Sequence, residues 1–240
     1  MTSGGFNGKG GLTPPCLHKM QCRCFAKMSI ILLLFLLDSW IVSAGAAQIT
    51  LRSSSIFVNG RLVRGDFDYF ENLMKQDHNV SHVVFEDCFG GYVDEGVKIG
   101  ELIRLKRLST IAKGQVQSSC AYAFLAGISR KFDSSFGVHL ILLHATSNEN
   151  AEKDIAAQAN VALIPYLKIL SSERLTSEIL SLVRQSTLPF QGVVFVRENW
   201  IVVNTEKVAY CDGLERGNFK NCIVLPHVDA LHLGVVTESK

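Results

Sequence analysis

The sequence predicts an α/β domain, with strands alternating with helices around a mostly parallel sheet. Two observations predict it. Short apolar runs recur along the chain, and segments with apolar residues at helical spacing lie between them, the pattern of βαβ crossovers. At 240 residues the chain is also long enough for one medium domain with a full core.

Residues 1–47 read separately from the rest. They hold four of the 24 basic residues (Lys9, Lys19, Arg23, Lys27) and one of the 22 acidic ones, Asp38. A basic flank, an apolar stretch over 30–37 and the small residues Ala44-Gly45-Ala46 match an export signal with an A-x-A cleavage site. Asp38 interrupts the apolar run, which argues against a permanent membrane span; an uncleaved anchor over 28–46 is the alternative. Met20 and Met28 offer alternative starts. The expectation is a basic leader with signal over 1–47 and a single domain over 48–240, exported to a periplasm or beyond. Without the leader the body is near neutral, which gives no reason to expect nucleic acid or another polyanion as partner.

Within the body, Asn59-Gly60 between the apolar segments 56–58 and 61–63 signals a hairpin or tight turn. Residues 65–76 put Phe67, Phe70, Leu73 and Met74 at helical spacing. A short buried strand over 83–85 ends at Glu86-Asp87. Residues 96–108 read as a helix, with Ile99, Leu102 and Ile103 on one face and Lys/Arg on the other. A strand over 110–113 leads into a helix over 119–129 that is apolar nearly all round, hence buried. Residues 136–143 form the next strand, 150–183 are helical in two or more pieces, and 191–204 read as a hairpin turning at Glu198-Asn199.

Of the seven cysteines, Cys16, Cys22 and Cys24 fall in the leader with His18, at spacings that fit zinc sites poorly. Four remain in the body, and an even count behind an export signal suggests two disulfides. Cys211 and Cys222 bracket a polar loop and are paired on that ground, which leaves Cys88 with Cys120.

Three places could carry chemistry. The turn Asp87-Cys88-Phe89-Gly90-Gly91-Tyr92 can point backbone N–H groups into a cleft, as an oxyanion site needs. It lacks the phosphate-loop Lys-Ser/Thr and the dinucleotide fingerprint. At Gly114-Gln115-Val116-Gln117-Ser118-Ser119-Cys120 a serine stands at a strand-to-helix junction, where its hydroxyl can be exposed as a nucleophile. Taken alone, the junction reads first as a helix cap, for which Ser is favoured, and spacing does not choose between Ser118 and Ser119. His139 and His144 lie five residues apart on one extended segment and face opposite sides, so one of them at most can face the serine.

These motifs resemble the ClpP/crotonase superfamily, in particular exported bacterial proteins with a ClpP-like protease domain, over about residues 56–145. The family's Gly-Gly turn stands here as Gly90-Gly91 with Glu95-Gly96. Its Gly-x-Cys-x-Ser-x-Cys-x3-Phe-Leu-Ala-Gly element stands as Gly114 to Cys120 continuing to Phe124-Leu125-Ala126-Gly127. The resemblance implies a spiral of ββα units around two roughly perpendicular sheets, Ser118 as nucleophile, His144 rather than His139 as base, and oxyanion donors at Gly90, Gly91 and Ser119. It implies a peptide or protein substrate, no metal or organic cofactor, and assembly into homo-oligomers. The chain departs from the pattern at Val116, which replaces a family cysteine, and at Cys88-Phe89, which replace Ser-Pro. The two changes are linked if Cys88 takes over as the partner of Cys120. No motif supplies an acid to orient the histidine; Glu173, Glu198 and Asp212 are candidates by position. A binding or scaffolding relative that lost the chemistry is the alternative, and acyl-CoA chemistry on the same fold a more distant one.

Overall fold

The structure, a computed structural model, describes residues 46–145, 153–186, 188, 190–201, 204–215 and 218–238. The signal pattern and the three leader cysteines lie outside the described residues.

Ten strands hydrogen-bond into one sheet, flanked by five helices among the described residues. In chain order they are β1 (Gln48–Arg52), β2 (Ser55–Leu62), α1 (Asp66–Gln76), β3 (His82–Gly91), α2 (Val93–Leu105), β4 (Ser109–Gln117), α3 (Ser119–Leu125), β5 (Arg130–Phe132), β6 (Gly137–Leu143), α4 (Lys153–Leu170), α5 (Ser177–Gln185), β7 (Gln191–Asn199), β8 (Asn204–Glu215), β9 (Asn218–Lys220) and β10 (Ile223–Val224). The path runs β1-β2-β3-β4-β6-β7-β8-β10, with β5 beside β4 and β9 beside β8. Its centre, β2-β3-β4-β6, is parallel, because a helix intervenes between each of these strands and the next. Antiparallel pairs extend it at both ends.

Several boundaries moved, each for a local reason. Asn59-Gly60 does not turn the chain: β2 runs straight through it, and the positive φ of Gly60 is taken up as a register shift against β3. The reversal is instead at Ser53-Ser54, between the paired Arg52 and Ser55. Pairing on both sides of β2 overrides the local turn preference. Helix α2 starts at Val93, three residues earlier than Gly96, with Asp94 and Glu95 in its first turn where the helix dipole favours carboxylates. Glu198 and Asn199 are paired with Thr205 and Asn204, so the β7–β8 reversal falls between Asn199 and Asn204.

The main core lies between the helices and one face of the sheet, with Ile56, Phe85, Val116, Phe124 and Ile141 fully buried. A smaller cluster of Leu140, Leu142, Val194, Ala209 and Cys211 covers part of the opposite face. Every residue of α3 is buried, as its apolar surface predicts. Helix α2 crosses it at Gly96, where a Cβ would stand 2.7 Å from the Ser119 Cβ. The buried Arg130 fixes the C-terminal segment: its guanidinium donates to the carbonyls of Leu125 and Gly127 on one side and of Gly234 and Val235 on the other.

Candidate functional site

Strand β4 ends opposite Leu142 of β6, in parallel register Gln117↔Leu142. The next residue, Ser118, donates its N–H to the Leu142 carbonyl at 3.1 Å. Its backbone sits at φ 51° and ψ −125°, a region costly for any residue with a Cβ. The chain thereby bends sharply from strand into α3, the geometry that lifts a nucleophilic hydroxyl out of the fold. Ser118 stands at the N-cap position of α3, yet its side chain makes no capping hydrogen bond. The ordinary reason for a serine at this junction is therefore missing. Ser118 is partly exposed, whereas Ser119 is fully buried and its Oγ has no partner among the described residues.

Gly90 and Gly91 are the last residues of β3 and lie alongside this bend. A Cβ at Gly90 would stand 2.7 Å from the Ser118 Cβ and 3.3 Å from its Oγ, and Gly90 has φ +80°. Only glycine meets both demands. The Gly90 N–H donates to Cys120 Sγ at 3.2 Å, while Gly91 pairs in register with Leu62 of β2. Cys88 and Cys120 are at bonding distance, with Cα atoms 5.9 Å apart, and so are Cys211 and Cys222, with Cα atoms 4.1 Å apart. The first bridge ties the end of β3 to the first turn of α3, directly beneath Ser118.

The two histidines occupy different settings. On β6, His139 Nδ1 accepts the Gly114 N–H at 3.0 Å, so Nε2 carries the proton and donates to the Ser135 carbonyl at 2.9 Å. Both ring nitrogens are committed to backbone, and this is a structural histidine. His144 follows β6 directly and leans over β7, where Gly192 leaves space: a Cβ there would lie 2.9 Å from the His144 Cβ. The ring is buried and its Nδ1 has no hydrogen-bond partner among the described residues. Burial lowers its pKa to about 4, against a smaller raising effect of the Ala145 backbone. No direct hydrogen bond joins the Ser118 hydroxyl to the His144 ring.

None of the three positional acids orients His144. Glu198 pairs with Lys207 and sits opposite Val138, at the far end of β6. Asp212 lies on β8, with β7 between it and β6. Glu173 is exposed after α4. Sequence reasoning missed Tyr122, which is fully buried. Its phenol donates to the main-chain carbonyl of His144. The available signal was a phenol inside an otherwise apolar helix, since a buried tyrosine hydroxyl needs a partner. Among the described residues no cluster of His, Cys, Asp or Glu could hold a metal ion.

No protein-family model matches the chain, and no curated protein matches it either. Among solved structures it is similar to the ClpP protease catalytic domain from Plasmodium falciparum, at 16% identity and TM-score 0.47, over 77% of this chain and 83% of that one. It is also similar to ClpP1 from Listeria monocytogenes, at 12% identity and TM-score 0.48, over 77% of this chain and 89% of that one. Likeness at this level carries no argument about chemistry, which rests on the residues themselves.

Proposed function

We propose that this chain is an exported serine hydrolase, a ClpP-like peptidase in which Ser118 is the nucleophile and His144 the base. The observation that carries the reading is the strained bend at Ser118. A non-glycine residue is held at φ 51° with a partly exposed hydroxyl that caps nothing. Such strain persists where the surrounding structure enforces it, and it clusters at functional sites.

In this reading Ser118 Oγ attacks a peptide carbonyl and its proton passes to His144 Nε2, the ring nitrogen opposite the buried Nδ1. The oxyanion forms beside the backbone N–H groups of Gly91 and Ser119; the Gly90 N–H is already directed at Cys120 Sγ. The C–N bond breaks as His144 returns the proton to the leaving amine, and water then hydrolyses the acyl-serine by the same route. Two cysteine pairs at bonding distance suit an oxidising compartment. No helix among the described residues is long and apolar enough to cross a membrane.

One observation favours a second reading, a binding protein that kept the fold and lost the reaction. For Nε2 to accept a proton, Nδ1 must carry one, and that N–H is buried without an acceptor among the described residues. A histidine with no orienting acid typically costs orders of magnitude in rate. A fluorophosphonate probe separates the two readings. Labelling of the oxidised, folded protein that disappears in Ser118→Ala supports the hydrolase; no labelling supports the binding protein.

A further inference from the structure

We infer that Tyr122 is a positioning residue that links the nucleophile bend to His144, holding Ser118 and His144 in register through one side chain and its own backbone. The inference rests on the hydrolase reading above.

Tyr122 lies one helical turn beyond Ser118 in α3, and its N–H donates to the Ser118 carbonyl at 3.0 Å. The same residue therefore holds the bend by its backbone and the His144 main chain by its side chain. Its hydroxyl has one proton, which goes to the His144 carbonyl. The side chain is fully buried, so water does not compete for that bond. Burial also pushes the phenol pKa well above its ordinary value. Tyr122 thus stays protonated and neither removes nor supplies a proton in the reaction.

The geometry explains how the two groups can be held without a direct hydrogen bond between them. Ser118 N–H is anchored to the Leu142 carbonyl, two residues before His144, and Tyr122 closes the other side of that link. Phenylalanine would fill the same volume and release the bond to the His144 carbonyl.

The test compares Tyr122→Phe with Thr110→Val. Thr110 is a buried hydroxyl on β4 whose Oγ1 donates to the Phe124 carbonyl of the same helix α3 at 2.8 Å. Each substitution removes a comparable buried hydroxyl-to-carbonyl bond from α3, but only one of them faces the site. In Tyr122→Phe, the rate of fluorophosphonate labelling and kcat on a small activated ester fall by roughly tenfold or more, the effect of one hydrogen bond used in positioning, with KM unchanged. In Thr110→Val both rates stay at the wild-type value. Equal rates in Tyr122→Phe and wild type, or equal losses in the two variants, overturn the inference while leaving the hydrolase reading intact. An unlabelled wild type overturns the hydrolase reading itself. Should Tyr122→Phe fail to fold, 3-fluorotyrosine at position 122 keeps the hydroxyl while making it a stronger donor and a poorer acceptor. A changed labelling rate then supports the role, and an unchanged one removes it.

Discussion

Cys88 and Cys120 face each other beneath the site, their Cα atoms 5.9 Å apart and both side chains fully buried. Closing a segment between residues 32 apart is worth roughly 3–4 kcal/mol in the chain-entropy view. The paired variant Cys88→Ala, Cys120→Ala is expected to lose about that much in denaturant unfolding. It also loses the sulfur that receives the Gly90 N–H, so labelling of Ser118 slows. Non-reducing peptide mapping is expected to recover Cys88 with Cys120 and Cys211 with Cys222; either of the first pair found as a free thiol defeats the idea.

His144 sets a pH signature. An unfolded histidine titrates near 6.5, whereas burial holds His144 at about 4. Between those values the unfolded chain binds a proton that the folded chain does not. Stability from this residue is therefore complete above 6.5, is lost as pH falls toward 4 and changes no further below it. The loss is on the order of 3 kcal/mol. Comparing His144→Gln with wild type in urea at several pH values isolates it: the wild type loses more stability on acidification. If His144 acts as the base, it stays neutral across ordinary pH, so the acidic limb of kcat/KM is expected near 4. A limb centred at 6.5 would show that the working ring is solvated.

Gly90→Ala tests the close approach of β3 to the bend. The new methyl would stand 2.7 Å from the Ser118 Cβ at a residue with φ +80°. The backbone alone costs about 1–2 kcal/mol, and relief of the contact moves Ser118. A lower unfolding midpoint is expected together with labelling reduced at least about tenfold, one hydrogen bond's worth of positioning. An alanine variant that labels at the wild-type rate would mean that Gly90 shapes no part of the site.

Much of the fold was legible because burial writes a period into sequence. The helical spacing of Phe67, Phe70, Leu73 and Met74 located α1, and the all-apolar run after Ser119 located a helix that is buried throughout. Asn59-Gly60 misled because local turn chemistry is weaker than strand pairing on both sides. At the site, the junction serine could be nominated from its place between strand and helix, but its backbone angles could not. That His144 Nδ1 has no partner among the described residues, and that the phenol of Tyr122 reaches the His144 carbonyl, were also out of reach. One concerns a partner that is lacking, and the other is aimed at a main-chain carbonyl, which leaves no mark on residue identity at position 144.

The strained bend makes a last prediction, which separates stability from chemistry. At φ 51° any residue with a Cβ costs roughly 1–3 kcal/mol relative to glycine. Glycine gives back part of that through the greater freedom of the unfolded chain, about 0.5–1 kcal/mol. Ser118→Gly should therefore be more stable than wild type by about 1 kcal/mol, a rise of a few degrees in Tm for a domain of this size, and it should not label. Ser118→Ala, which keeps the strain and loses the hydroxyl, should be unlabelled with no such gain. The pair matters because it measures strain independently of activity. A fold that holds a serine at a cost glycine would relieve is retaining the hydroxyl for use, so a Ser118→Gly variant no more stable than Ser118→Ala would remove the main support for the nucleophile assignment.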